Sequence, residues 1–232
     1  MTQALVTLLI VALLAPAFAA DFDAGMKAYN RGDYEAALRE WRPLAEQGHA
    51  SAQFNLGSMY DTGEGVPKDD AEAVKWYRKA AEQGHAQAQL NLGVKYAIGH
   101  SVPEDHAEAV KWYHLAAEQG DASAQFNLGA SYAKGRGVPR DDAEAAKWVR
   151  LAAEQGDVMA QFALGFIYDS GKGVPQDDAQ AHAWFNVAAA QGKTGAAENR
   201  DRVAGRLTPE ARNRAQKLAR EYWEAYVVPF RD

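Results

Sequence analysis

Six histidines are the most versatile side chains available, because a neutral imidazole can ligate a metal or move a proton near neutral pH. They are His49, His85, His100, His106, His114 and His182. His49 and His85 are replaced by Asp121 and Asp157 at the corresponding places farther along the chain, and His106 stands where Asp70, Asp142 and Asp178 recur. Such interchange marks polar turns and helix starts, not metal ligands, and no His-Glu-x-x-His pair occurs. The Gly-x-Gly stretches at Gly63 to Gly65, Gly135 to Gly137 and Gly171 to Gly173 could be read as phosphate cradles. They lack the third glycine, the preceding strand and the Lys-Ser/Thr of a phosphate loop, so they are read as turns. The Asp69-Asp70, Asp141-Asp142 and Asp177-Asp178 pairs lack the alternating oxygen ligands of a calcium loop and are read as helix caps. No Gly-x-Ser-x-Gly elbow is present. With no Cys, a thiolate nucleophile, a thiolate zinc site and a disulfide framework are excluded together. The residues therefore point to no catalytic set, no metal and no cofactor.

The elements that would position any site follow from composition and spacing. The chain has 232 residues, 25 Lys plus Arg against 31 Asp plus Glu, a net charge of -6 and 47% hydrophobic residues, values of a folded protein. The acidic balance argues against a nucleic-acid partner. Residues Ala4 to Ala15 form an apolar run ending in Pro16, then Ala17-Phe18-Ala19 supplies the small-x-small pattern of signal peptidase. Residues 1–19 are thus expected to be an export signal, although Met1-Thr2-Gln3 carries no Lys or Arg; a retained anchor is the alternative. The run is short of the ~20 residues of a membrane span, so no stable membrane insertion is expected after cleavage.

A period of 36 residues organises the rest: Ala-Glu-Gln-Gly ends at Gly48, Gly84, Gly120 and Gly156, and Leu-Gly recurs at Gly57, Gly93, Gly129 and Gly165. Trp76, Trp112, Trp148 and Trp184 keep the same step. Four units follow, at 50–85, 86–121, 122–157 and 158–193. Each reads as two helices. In the first unit one helix spans about Ser51 to Asp61, and the second begins near Asp69 with an Asp69/Glu72 capping box. Neither helix can bury its apolar stripe alone, so the units must stack. Gly57 and its equivalents imply a closely crossing helix, with Ala80-Ala81 and its counterparts as the expected partners. Their helical phase places the Trp and Tyr side chains in the stack, where they would be unavailable for sugar stacking.

The strings A-x-A-Q-F-N-L-G-x-x-Y at 50–60, G-x-G-V-P-x-D-x-x-A from Gly63 and W-Y-x-x-A-A-E-Q-G from Trp76 resemble the Sel-one-like repeat family, a relative of the tetratricopeptide repeat. The resemblance implies an all-α, right-handed α/α superhelical solenoid of antiparallel helix pairs. Departures are small, such as Ser101 in place of the second loop glycine. Residues 20–49 look like a shorter tetratricopeptide-like unit, and residues 194–232 like capping helices begun by Thr208-Pro209. From Lys193 onward nine basic residues outnumber six acidic ones, a basic cap that could meet an acidic partner or membrane surface but is read first as a solvated face.

One ladder invites a binding role. Asn55, Asn91 and Asn127 each precede Leu-Gly, and in tetratricopeptide repeats the similar Asn faces the concave groove and bonds extended peptides. Here they either line such a groove or bond the neighbouring repeat; Ala163 breaks the ladder in the fourth unit. Four residues on, Met59, Lys95, Ser131 and Ile167 vary most. In a repeat array the constant residues hold the frame, so these are the candidate specificity positions. The resulting expectation is an exported, non-enzymatic interaction scaffold of the bacterial envelope, periplasmic or secreted, that binds a peptide or protein on its concave face. The resemblance also brings a β-lactam-binding or β-lactam-hydrolysing alternative, described for cysteine-rich members, and the aromatic series a peptidoglycan or polysaccharide binder.

Overall fold

A computed structural model describes residues 20–230; the expected export signal, 1–19, lies outside the described residues. Among the described residues there are twelve α-helices, a short 3-10 turn and no strand. An opening pair, α1 (Phe22–Asn30) and α2 (Tyr34–Glu46), precedes four further pairs. These are α3 (Ala50–Thr62) with α4 (Asp70–Glu82), α5 (Ala86–Ile98) with α6 (His106–Glu118), α7 (Ala122–Lys134) with α8 (Asp142–Glu154), and α9 (Val158–Ser170) with α10 (Asp178–Ala190). Each helix packs on its neighbours in the chain, which is the arrangement of a solenoid. The chain closes with α11 (Ala196–Ala204) and α12 (Pro209–Tyr226), both laid on α10.

The first helix of each pair stops where expected, at Gly63, Gly99, Gly135 and Gly171, all left-handed. In the connecting loop of the second unit Ser101 adopts φ 60°, the conformation its glycine counterparts take without a Cβ. The second helices are capped by Asp69, Asp105, Asp141 and Asp177, whose carboxylates accept amide N–H bonds from the first turn. The reciprocal arm of the expected capping box is not made. The Asp69 N–H donates instead to the Tyr60 carbonyl at 2.9 Å, and Glu72 turns to Lys75. The same backbone tie joins Asp105 to Tyr96, Asp141 to Tyr132 and Asp177 to Tyr168. It satisfies a carbonyl that the end of the first helix would leave orphaned. His49 and His85 cap the first helices of their units through Nδ1, as Asp121 and Asp157 do through a carboxylate. Their rings also stack on Phe22 and Phe54; the His49 turn is exposed as expected, while His85 is half-buried.

The core is a column of one leucine per unit, Leu56, Leu92, Leu128 and Leu164, each at most 1% exposed. Burial of each contributes roughly 1.5–3 kcal/mol. The glycine crossing is real, but its partner differs from the expected alanines. A Cβ on Gly57 would meet the Tyr77 ring at 2.8 Å, and one on Gly93 the Tyr113 ring at 2.7 Å. The close contact is thus made inside the unit, by the residue one turn before Ala80-Ala81 and its counterparts, an aromatic ring in three units of the four.

Between units the seam is polar. Gln89 on α5 is 3% exposed; its Nε2 donates to the Ala81 carbonyl of the preceding unit at 3.0 Å, and its Oε1 accepts from Gln119 at 2.7 Å. Gln53, Gln125 and Gln161 repeat this arrangement at the other seams, so buried amides and helix-end carbonyls satisfy one another. The C-terminal cap begins as expected, with Thr208 accepting from the Ala211 N–H and Pro209 in the first turn. Its Tyr222 stacks on Trp184 at 4.2 Å.

An open cleft among closed junctions

Three positions per unit decide whether a junction is open or closed: the end of the first helix, the start of the second, and a residue of the following first helix that points back at both. Between the first and second units these are Asp61, Asp70 and Lys95. The Lys95 ammonium bonds Asp61 and lies 3.3 Å from Asp70, and His100 Nε2 lies 2.9 Å from the other Asp70 oxygen. Lys95 is only 8% exposed, so this pairing fills the junction. At the far end the equivalent carboxylates, Asp169 and Asp178, are both bonded by Arg206, which follows α11; Arg202 joins on Asp169 and Arg214 on Asp177. The Arg206 hydrogen bond holds the Asp178 carboxyl below the ordinary aspartate range. Three arginines of the basic cap are therefore turned onto the acidic end of the fourth unit.

The middle junctions lack the clamp. Ala97 and His106 replace the two aspartates in the second unit, and Ala133 and Asp142 in the third. Ser131 and Ile167 stand where Lys95 does. Asp142 turns away to a two-pronged pairing with Arg140, at 2.8 and 3.0 Å, which lowers its carboxyl pKa. A second departure opens the same place. The ring that covers the mid-helix glycine is Tyr77, Tyr113 and Phe185 in three units, but Val149 in the third, where only a methyl faces Gly129.

The result is a cleft of about 540 Å³ between the third and fourth units. Gly129, Ala130, Ala133, Ala145 and Val149 supply small floor residues, Phe126, Phe166 and Ile167 the walls. Phe166 is 40% exposed and lies edge-on to Phe162 and Phe185, at 5.0 Å from each. Lys134 and Lys172 stand on the rim. Neither forms a direct ion pair among the described residues, although the Lys172 charge helps to lower the Asp142 carboxyl. A shallower depression of about 190 Å³ shares Ala130 and Lys134 with the cleft and adds Ile98, Asn127 and Ser131.

The sequence candidates divide along the stack. Met59 is 0% exposed, a core residue, and Lys95 is consumed by the clamp. Asn55 reaches Met26 Sδ of the opening pair at 3.5 Å, and Asn91 lies beside the Tyr77 hydroxyl of the preceding unit. Those two follow the neighbour-bonding alternative. Asn127, Ser131 and Ile167 line the open depressions. Ala130 and Phe166, each one residue before a candidate position, join them.

Sequence reasoning passed over the clamp positions, the Tyr-to-Val change at Val149 and the seam glutamines, although all keep the 36-residue phase. It also passed over Ser131 and Lys134, which have the Ser-x-x-Lys spacing of a nucleophile and its base. The Ser131 hydroxyl donates to the Asn127 carbonyl at 2.9 Å, a helix-internal bond that does not ready it for attack. No three His, Asp or Glu side chains gather as metal ligands among the described residues. Trp76 and Trp148 are 8% exposed and Trp184 3%, whereas Trp112 and Trp223 are half-buried. The cleft can therefore hold an apolar group and an anion, and offers nothing prepared for bond breaking.

The family profile for the Sel1 repeat matches residues 50–85, 86–121, 122–157 and 158–193. The chain belongs to the Sel1 repeat family. A Sel1 repeat protein from Oxalobacter formigenes is 34% identical over 90% of this chain and 87% of its own, with a TM-score of 0.73. A protective antigen present in uropathogenic Escherichia coli strains, with an SLR fold, is 41% identical at a TM-score of 0.80, covering 88% of this chain and 45% of that one. The exopolysaccharide production negative regulator of Rhizobium leguminosarum bv. viciae is 44% identical over 54 residues, 23% of this chain and 20% of its own length. Its Rhizobium meliloti namesake is 39% identical over an equal stretch. The chain thus matches about a fifth of each regulator. Among the described residues no helix is long and apolar enough to cross a membrane.

Proposed function

We propose that this Sel1 repeat protein is a non-enzymatic interaction scaffold, exported to the bacterial envelope, that holds a segment of a protein partner in the cleft between its third and fourth units. The observation that carries this reading is the missing clamp. The junctions at the two ends are closed by a cation on paired carboxylates, while the middle is apolar, open and walled by a part-exposed phenylalanine. Concave, mostly apolar depressions of this volume are the usual place for a bound group. The names of the Rhizobium relatives add a context, negative regulation of exopolysaccharide production, in which a scaffold would act by holding another protein. Export rests on the apolar run at Ala4 to Ala15 and on Ala17-Phe18-Ala19. The burial of Trp76, Trp148 and Trp184 weighs against sugar stacking by those rings.

The test uses residues 20–232 as bait in envelope extract, beside a second bait carrying Ala133→Asp and Ile167→Lys. With Asp142, these substitutions rebuild the first-junction clamp inside the cleft. A partner retained by the first bait and lost by the second is the expected result. A partner held equally by both places the site elsewhere, and no partner at all overturns the scaffold reading. Export is checked separately by N-terminal sequencing of the protein from a periplasmic fraction, which should begin at Ala20.

A further inference from the structure

Resting on the scaffold reading, we infer that the cleft recognises a peptide segment bearing an aromatic side chain flanked by carboxylates. Two independent observations specify this occupant. The first is internal to the repeat. In three units an aromatic ring lies over the mid-helix glycine, Tyr77 on Gly57, Tyr113 on Gly93 and Phe185 on Gly165; the third unit has only Val149 on Gly129. The cleft opens at that place, and the ring that is absent from the chain is the shape a partner can supply. Phe126 and Phe166 stand beside it, and Phe166 already makes edge-on ring contacts that an incoming aromatic can extend.

The second observation is charge. The chain is net acidic, at -6, yet the cleft rim is not. Its two carboxylates are spent, Asp142 on Arg140 and Asp169 on Arg202 and Arg206. Lys134, at the end of α7, and Lys172, in the loop after α9, form no direct ion pair among the described residues, although the Lys172 charge is felt by Asp142. A carboxylate on each side of the buried ring meets them, and a cationic segment meets repulsion. The lysines then set orientation and approach, and the ring supplies the buried anchor.

The full chain is titrated with acetyl-Asp-Asp-Phe-Asp-Asp-amide and followed by amide NMR shifts. Comparison peptides replace Phe by Leu, or each Asp by Lys. Shifts at Ala130, Ala133 and Val149 are expected, with affinity at least tenfold above either comparison peptide. Val149→Tyr restores the ring used in the first two units and should weaken binding at least tenfold without loss of fold. Lys134→Glu with Lys172→Glu, distant from the core, should reverse the charge preference. Equal binding of the Leu peptide overturns the aromatic part, and equal binding of the Lys peptide overturns the charge part. Shifts confined elsewhere, or no shifts, overturn the whole assignment. If the clamp variant still loses a captured partner while no peptide binds, the scaffold reading stands and only this occupant falls.

Discussion

Arg206 does for the last unit what Lys95 does for the first, although one comes from the cap and the other from a repeat. Both set a cation between two carboxylates at the junction of a first helix and a second. The Arg206 bond depresses the Asp178 carboxyl below its ordinary 3.8 in the folded chain. A depressed carboxyl contributes stability that is complete above the unfolded value and is lost as pH falls through the folded one. Arg206→Ala should therefore cost about 1 kcal/mol near pH 7, screening by solvent included. Its thermal midpoint should converge on that of the native chain as the pH falls below the ordinary aspartate value and through the lowered folded one. A gap that persists unchanged in acid would mean that Arg206 stabilises by packing alone. At this scale the sequence was least legible. Met59, Lys95, Ser131 and Ile167 were identifiable as variable, but whether a variable residue closes a junction or lines a cleft depends on residues 34 and 25 positions earlier, as with Asp61 and Asp70 for Lys95. Those partners are brought in by the angle between units, which no single repeat encodes.

The helices were the most legible features, because each boundary has a local cause. A left-handed glycine ends each first helix, an aspartate caps each second one, and the period fixes the pairing. What the pattern could not supply was the partner of the mid-helix glycine, since Ala80 and Tyr77 lie one turn apart on the same helix. The structure selects the ring, and that choice makes the cost of filling the gap specific. Gly93→Leu drives side-chain atoms into Tyr113, which is 5% exposed, and toward the Ala109 carbonyl, 3.2 Å from a Cβ. It should cost about 1–3 kcal/mol or more, read as a lower urea midpoint at unchanged slope. An unaltered midpoint would show that the ring yields freely and that the helices are not tightly crossed.

Across the whole molecule, stability is passed from neighbour to neighbour, since among the described residues each pair packs chiefly on the pairs beside it, and the last on the cap. Units with two neighbours should resist opening more than those with one. Hydrogen exchange should accordingly be slowest in α5 to α8 and faster in α1 and α2, with the cap close behind. Uniform protection along the stack would show instead a single cooperative block. The seam glutamines carry a further consequence, for heredity. Gln53, Gln89, Gln125 and Gln161 present the same amide pattern at every seam, each receiving a glutamine of its own unit and donating to a carbonyl of the one before. An in-frame duplication or deletion of one unit would join two surfaces that already match. A lineage can therefore lengthen or shorten this protein in whole-unit steps, and move its open cleft along the stack, without inventing a new seam.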